Sequence, residues 1–367
     1  MRVEHIKTLK VRVKDKHAAQ LNNMARSVNF VWNYINELSH RSITERGVFL
    51  SGFDIDKQTK GANEELGLHS QTLQEISREY ATRRKQFKKA RLNWRKSGGT
   101  RRSLGWIPVK AGTTKWRNGQ VYYYGSYFGV WDSYGLSNYE FRSGSFSEDS
   151  RGRWYFNIVV RYVPDASTGE GSVGIDLGCK SAATDSNGNG VVGREYRMLE
   201  QKLGVAQRAG NKKRVKNIHA KIANRRKDAL HKYSRKLVQE NALIVVGNVS
   251  SKAMVKTKMA KSVLDASWST LKTMLEYKCA HAGVVFEEVN EAYTTQTCSS
   301  CGEIPDSGPK GRAGLRIREW TCDGCGSAHD RDINAAKNIL ALGHERLAVE
   351  IPRLVGAGRM SNEDTEQ

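Results

Sequence analysis

Four cysteines in two pairs are the residues whose type and spacing most directly predict a bound metal. Cys298 and Cys301 are separated by two residues, as are Cys322 and Cys325, and 20 residues lie between the pairs. Two Cys-x-x-Cys pairs around a loop of this length are typical of a tetrahedral four-cysteine zinc site. We therefore predict a Zn²⁺-binding ribbon at residues 296–326, with His329 outside the ligand set because four thiolates already fill it.

Acidic residues at two distant points of the sequence predict a second metal site. Asp330 and Asp332 follow the second cysteine pair and begin a run of good helix formers, where the helix dipole favours negative charge. Asp176 lies in the apolar segment GIDLG, and a buried aspartate is costly unless it is paired or binds a cation. We predict that Asp330 caps the helix and that Asp332 and Asp176 are ligands of one metal site.

The charge of the chain predicts a polyanionic partner. Its 367 residues include 60 lysines and arginines against 38 aspartates and glutamates, a formal net charge of +22. Such an excess is typical of proteins that contact a phosphate backbone, and an exposed tyrosine can stack on bases. The residues predicted to bind nucleic acid are Arg83, Arg84, Lys88, Arg91, Arg214, Arg225, Arg226, Lys232 and Tyr124.

Hydrophobic periodicity predicts a β-rich first part interrupted by helices. Residues 3–14 alternate as a strand, residues 17–39 follow a helical pattern, and a second basic helix starts near residue 70, after a loop at 47–67. Residues 104–163 contain short strands rich in aromatic residues, which together with the first strand predict a small antiparallel barrel.

An α/β arrangement is predicted for the second part, after a linker at residues 164–171. Apolar strands starting near residues 172, 242 and 283 alternate with helices, including a basic helical region at 195–240 interrupted near Gly204 and Gly210. This order favours a partly parallel sheet. Residues 343–367 are predicted to be a flexible tail.

The remaining cysteines and the hydropathy pattern favour a cytoplasmic protein. Only two of the six cysteines lie outside the pairs, so the chain is not a disulfide scaffold and suits a reducing compartment. No apolar run approaches the roughly 20 residues that a membrane-spanning helix needs.

GIDLG, the two cysteine pairs and DRDINAAKNIL together resemble the TnpB family, transposon-encoded RNA-guided nucleases related to type V CRISPR effectors. The resemblance covers nearly the whole chain, including VNFVWNYIN, GRWYFNIVV and ANRRKDALHKYSRKLV. It implies a wedge (WED) β-barrel at residues 1–16 and 103–165, with a helical recognition (REC) lobe at 17–102. It also implies an RNase H-like RuvC nuclease domain at 172–295 and 327–342, interrupted by the ribbon.

The function implied by this resemblance is RNA-guided DNA cleavage for a transposable element, beside a short adjacent DNA motif. Mg²⁺ or Mn²⁺ would serve the RuvC site. The implied partners are a guide RNA derived from the transposon end and double-stranded target DNA. We expect no membrane contact and no oligomer, and a protein that acts on the nucleoid of a prokaryotic cell.

One position departs from the family pattern. The middle RuvC strand typically ends in a glutamate, but here it reads IVVGNV, with Gly247 in the position of that acid. Two aspartates alone would underfill a site that must neutralise divalent cations.

Three hypotheses follow from this departure. In the first, the acid has moved to the neighbouring strand, with Glu291 as the preferred catalytic residue and Glu288 as its alternate, while Asp330 is the alternate to Asp332. In the second, the protein is a catalytically inactive RNA-guided DNA-binding protein that acts like a repressor. The third, a transposase that joins DNA ends itself, does not account for the ribbon and the barrel.

Overall fold

The computed structural model of the chain describes residues 4–163, 166–178, 181–193, 197–249, 267–314 and 316–359. Residues 164–165 of the predicted linker, residues 262–266, where a helix to residue 282 is predicted to begin, and residues 360–367 of the predicted tail lie outside the described residues. The chain divides into two units, Met1–Val163 and Pro164–Gln367. Among the described residues, no helix is both long enough and apolar enough to cross a membrane.

Two antiparallel sheets form the β-structure of the first unit. Its strands are β1 (His5–Val13), β2 (Trp106–Val109), β3 (Thr114–Arg117), β4 (Gln120–Tyr123), β5 (Ser126–Phe128), β6 (Val130–Trp131), β7 (Phe141–Glu148) and β8 (Trp154–Tyr162). One sheet has the order β2-β7-β8-β1-β6 and the other the order β3-β4-β5. β1 joins the later strands as predicted. The predicted antiparallel barrel is not confirmed, because within the described residues no closed barrel is found and β2 and β6 are the two edges of the larger sheet.

Three helices connect β1 to β2. They are α1 (Ala18–Arg46), α2 (Gly52–Thr59) and α3 (Ser70–Phe87). Of these, α1 and α3 contact β2 of the larger sheet, and α2 packs on α3. α1 buries Leu21, Val28 and Ile35 at seven-residue intervals, in one hydrophobic core with alternate residues of β1 and β8.

Two features of this helical segment correct the sequence prediction. α2 lies in the stretch predicted to be a loop, and it begins with a capping box between Ser51 and Asp54. α3 ends one residue before Lys88, whose φ of 51° lies in the left-handed region. The basic segment that follows is therefore not part of the helix.

A mixed sheet forms the core of the second unit. Its strands are β9 (Gly171–Asp176), β10 (Ser181–Asp185), β11 (Gly190–Val192), β12 (Asn241–Gly247) and β13 (Val285–Val289), in the order β11-β10-β9-β12-β13. β9, β12 and β13 are parallel to one another, and β10 and β11 form an antiparallel hairpin. The partly parallel α/β sheet is thus confirmed.

Helices flank this sheet, and a small hairpin follows β13. The elements are α4 (Arg197–Arg208), α5 (Lys212–Glu240), α6 (Trp268–Ala282), α7 (Gly311–Gly314), α8 (Arg331–Arg359), β14 (Glu319–Thr321) and β15 (Ala328–Asp330). The basic helical region breaks at Gly210, which has a φ of 62°, whereas Gly204 lies inside α4.

The last helix, α8, packs directly against β9 and β12. A Cβ on Gly174 would overlap the Ala336 carbonyl oxygen of α8, and a Cβ on Gly343 would overlap the Val245 side chain. Glycine at these positions therefore allows a close approach of helix and sheet. Because α8 continues to Arg359, the predicted flexible tail is wrong for residues 343–359.

Candidate acidic site and cysteine cluster

The carboxyl ends of two parallel strands meet where the sequence predicted a metal site. Asp176 is the last residue of β9, and Gly247 is the last residue of β12. Val246 pairs with Ile175, so Gly247 lies beside Asp176. The edge at the carboxyl ends of parallel strands is where open α/β sheets usually bind their ligands.

Glu291 supplies a carboxylate at the end of β12, although it follows β13. A Cβ added to Gly247 would overlap the Glu291 Oε2 and would lie 3.1 Å from the Glu291 Cβ. The backbone N–H of Val249 donates a hydrogen bond to the Glu291 carboxylate. Oε2 itself is buried and accepts no hydrogen bond. The Glu291 carboxylate thus fills the space of a side chain on residue 247.

Asp332 approaches the same place from the first turn of α8. Arg318 donates to its Oδ2 at 2.6 Å, and Arg331 donates to its Oδ1 at 2.8 Å. Asp330 accepts hydrogen bonds from the backbone N–H groups of Asp332 and Ile333, both at 2.9 Å. The prediction that Asp330 caps the helix is confirmed.

The charges of Asp332 and Glu291 both act on Asp176. Burial raises the pKa of Asp176 to about 7, with further contributions from the charges of Asp332 and Glu291, and Arg331 and Arg318 oppose the rise. Burial also raises the pKa of Glu291, against the partial compensation of Lys272. Carboxylates gathered in this way repel one another until a cation neutralises them.

The acidic site fits a divalent cation by its chemistry. It offers carboxylate oxygens, the ligands that Mg²⁺ prefers, and one of them is an unbonded buried oxygen. Within the described residues, however, only the four cysteines bring three or more metal-binding side chains within 4.8 Å of one another. Asp332 would have to release its arginines to bind a cation.

The other glutamates of β13 face different neighbours. Glu288 forms an ion pair with Lys272 of α6 at 2.5 Å, and Glu287 pairs with Arg346 of α8 at 3.4 Å. Adjacent residues of a strand point to opposite faces, as these partners reflect. The alternate Glu288 therefore lies on the α6 side of the sheet.

The four cysteines form a compact cluster that could hold a zinc ion. The Sγ atoms of Cys298 and Cys325 are 3.7 Å apart, and those of Cys301 and Cys322 are 3.8 Å apart. A tetrahedral site with Zn–S bonds of about 2.3 Å has S···S edges of about 3.8 Å, which matches these distances. His329 lies outside the four but contacts one of them, with its Nε2 3.1 Å from the Cys298 Sγ.

The predicted nucleic-acid-binding residues occupy varied positions. Exposure of Arg84 is a wrong prediction, because its guanidinium is buried and donates to the Ser39 hydroxyl and the Leu50 carbonyl. Arg226 is half-buried on α5. The remaining predicted residues are exposed: Arg83, Lys88, Arg91, Tyr124, Arg214, Arg225 and Lys232.

Sequence reasoning missed two asparagines beside the acids. Asn334 and Asn338 of α8 bond the segment between Glu291 and Cys298. A signal for them existed, because asparagine is a poor helix former and two of them stand four residues apart within NAAKN.

Comparisons with known proteins agree with the motifs. Residues 156–258 match the family described as "Probable transposase", and residues 268–339 match the family described as "Cas12f1-like, TNB domain". A Streptomyces pristinaespiralis protein named "Putative RNA-guided DNA endonuclease" is 36% identical over 213 residues, which are 54% of this chain. The "Putative RNA-guided DNA endonuclease InsQ" of Escherichia coli (strain K12) is 30% identical over 59% of this chain.

The chain spans about half the length of the curated relatives it matches, 52% of the Streptomyces protein and 60% of InsQ. The fold is similar to that in the cryo-EM structure of a Cas12f1–sgRNA–target DNA complex, with a TM-score of 0.54 and 12% identity over 92% of this chain and 98% of that one. By its sequence matches and motifs, the chain is similar to proteins of the TnpB family.

Proposed function

We propose that this protein is an RNA-guided DNA endonuclease of a transposable element and that Asp176, Glu291 and Asp332 form its catalytic site. The observation that carries the proposal is the position of the Glu291 carboxylate in the space beside Gly247. This position supports the hypothesis that the third acid has moved to the neighbouring strand. Relatives named as RNA-guided DNA endonucleases support the same activity.

The three carboxylates would hold divalent cations, Mg²⁺ or Mn²⁺, which activate water and stabilise the charge that develops on the phosphate. Asp176 is the last residue of β9, and Glu291 follows β13 by two residues, at the start of a run of turns. Asp332 is held by the first turn of α8. In-line attack on a phosphodiester there would leave a 5′-phosphate and a 3′-hydroxyl.

Sequence specificity would come from base pairing of the guide RNA with the target strand, while the protein recognises the shape and charge of the heteroduplex. Arg214 and Arg225, both exposed on α5, would contact its backbone. The first unit would act as the WED and REC regions and read the adjacent DNA motif. Zn²⁺ in the cysteine cluster would hold the ribbon, and the free thiols it requires fit a reducing cytoplasm.

Cleavage by the purified ribonucleoprotein with Mg²⁺ and a matching target tests this function. We expect Asp176→Ala, Glu291→Ala and Asp332→Ala each to abolish cleavage while target binding is retained. Glu288→Ala is the matched control, because it removes a carboxylate from the same region but from the α6 side of the sheet. If Glu291→Ala cuts normally, or Glu288→Ala is the inactive variant, the assignment of Glu291 is wrong.

A catalytically inactive, RNA-guided DNA-binding protein is the second candidate. It is favoured by the ion pairs that occupy both carboxylate oxygens of Asp332. Under this alternative, the wild-type ribonucleoprotein binds its target but leaves it uncut at every Mg²⁺ and Mn²⁺ concentration.

A further inference from the structure

A short run of turns connects Glu291 to the first cysteine of the metal cluster. The Thr294 N–H and hydroxyl both donate to the Glu291 carbonyl, at 3.2 and 2.8 Å, and the Thr297 N–H and hydroxyl donate to the Tyr293 carbonyl. Tyr293 has a φ of 66°, in the left-handed region. Any group that fixes this run therefore also fixes Glu291 at one end and Cys298 at the other.

Asn334 bonds this run from α8. Its Nδ2 donates to the Thr297 carbonyl at 2.7 Å, and its Oδ1 accepts from the Ser299 N–H at 2.9 Å, so one side-chain amide contacts the backbone on both sides of Cys298. Asn334 is only 1% exposed, and it follows Asp332 by two residues. The same helical turn thus carries one acid and binds the segment that carries another.

Two further contacts reinforce this connection. Asn338, one turn later on α8, donates to the Thr294 and Thr297 carbonyls at 2.8 and 2.7 Å. His329, three residues before Asp332, contacts the Cys298 Sγ and packs on the Trp320 ring with 4.7 Å between ring centroids. The run that follows Glu291 and the first cysteine of the cluster are therefore both bonded to residues close to Asp332 in the sequence.

We propose that Asn334 is a positioning residue that sets the Glu291 carboxylate relative to Asp332 and ties both to the cysteine cluster. The proposal rests on the proposed metal-binding role of these acids. A buried asparagine also needs hydrogen bonds for its own sake, whatever it holds. A positioning role requires more than this, because loss of the Asn334 amide must weaken cation binding by acids that the amide does not contact.

The test measures the binding of Mn²⁺ to the full-length protein by electron paramagnetic resonance. The double variant Asp176→Asn/Asp332→Asn gives the amount of Mn²⁺ that binds elsewhere on the protein. Outer groups that orient metal ligands typically contribute about 10–100-fold in metal affinity. We expect Asn334→Ala to raise the Mn²⁺ dissociation constant by about that factor. Co²⁺ bound at the four cysteines provides a second readout, because its thiolate absorption bands report on an intact cluster.

Asn36→Ala is the matched control. Asn36 is also buried, and its amide makes the same pair of bonds, donating to the Leu92 carbonyl at 2.7 Å and accepting from the Leu92 N–H at 2.9 Å. It lies in the first unit, so its loss should reduce stability to a similar degree without changing Mn²⁺ affinity.

Should Asn334→Ala fail to fold, Asn338→Ala removes two donors to the same run and leaves Asn334 in place, with a weakening of about 10-fold expected. Unchanged Mn²⁺ affinity in a folded Asn334→Ala or Asn338→Ala protein overturns the proposal, as does equal weakening by Asn36→Ala. The outcome is separable from the proposed function. A wild-type protein that binds Mn²⁺ but never cuts DNA would refute the nuclease and leave the positioning role standing.

Discussion

Exchanging residues 247 and 291 tests directly whether the third acid has moved between neighbouring strands. A side chain at residue 247 and the Glu291 carboxylate compete for one space, since a Cβ on Gly247 would overlap Glu291 Oε2 and lie 3.2 Å from the Ile339 Cδ1. We expect Glu291→Ala to abolish cleavage and the double variant Gly247→Glu/Glu291→Ala to restore it. Gly247→Glu alone should be inactive, because it places two carboxylates in one position.

The magnitudes follow from the geometry. Loss of one metal ligand removes several kcal/mol of transition-state stabilisation, and about 4 kcal/mol corresponds to about a thousandfold in rate. Gly247 pairs with Val289 across a strand spacing of about 5 Å. A glutamate at residue 247 would therefore reach the site from β12, whereas Glu291 reaches it from the segment after β13. A displacement of about 1 Å costs on the order of a hundredfold, and the double variant should recover to within that factor of wild type.

The single variant Gly247→Glu should also be less stable, since overpacking of this kind typically costs about 1–3 kcal/mol. Initial cleavage rates of the ribonucleoprotein, with target binding measured in parallel, give the double-mutant cycle. Gly247→Glu/Glu288→Ala is the control, because it retains Glu291 and removes only the acid that pairs with Lys272. A folded, DNA-binding double variant no more active than Glu291→Ala would refute the relocation.

Two further predictions concern charge. Burial would raise the pKa of Glu148, but bidentate bonds from Arg102 outweigh it, and the pKa lies below the ordinary value of 4.5. This carboxylate therefore stabilises the fold above about pH 4.5, and its contribution is lost as the pH falls through the lowered pKa. Glu148→Gln should lower the free energy of unfolding by about 2 kcal/mol at pH 7, which is less than for a fully buried ion pair because Arg102 is 40% exposed. The difference from wild type in urea unfolding should shrink below pH 4.5. On α5, Arg225→Ala should lower the slope of log affinity for nucleic acid against log salt by about 0.7–0.9, whereas Lys232→Ala should lower it less, because Lys232 already pairs with Asp228 at 2.7 Å.

Local patterns were sufficient to predict much of the second unit and its acidic site. Strand and helix order placed Asp176 and Asp332 on neighbouring elements, and alternation along β13 separated Glu288 from Glu287. The spacing of neighbouring strands allows the Glu291 carboxylate to reach the end of β12, but it does not determine the direction of this side chain. Glu291 lies beyond the last residue of β13, where the regular alternation ends, and its direction depends on the turns that follow.

Other features depended on contacts that no local pattern reports. Whether β2 and β6 pair with each other depends on contacts between residues that are far apart in the sequence. Gly343 marked the start of the predicted tail, but it is a point of close packing between α8 and the sheet. Arg84 is different, because the sequence contained the signal. Arg84 continues the buried stripe of Leu73 and Tyr80 at helical spacing. Because it also stands within a run of basic residues, it was predicted to be on the surface with them.

The ribbon is inserted in the sequence between two of the acids that are proposed to form the metal site. Glu291 and Asp332 lie at the two ends of this insertion, so any movement of the ribbon against the sheet would change the distance between them. Catalysis by metal ions tolerates little such movement, because a displacement of about 1 Å is already costly. The bonds from Asn334 and Asn338 close the base of the insertion on α8, before the chain enters the cysteine cluster. The bond from the Ser299 N–H to Asn334 extends this connection past Cys298, so the base of the ribbon and Glu291 are both held to the helix that carries Asp332.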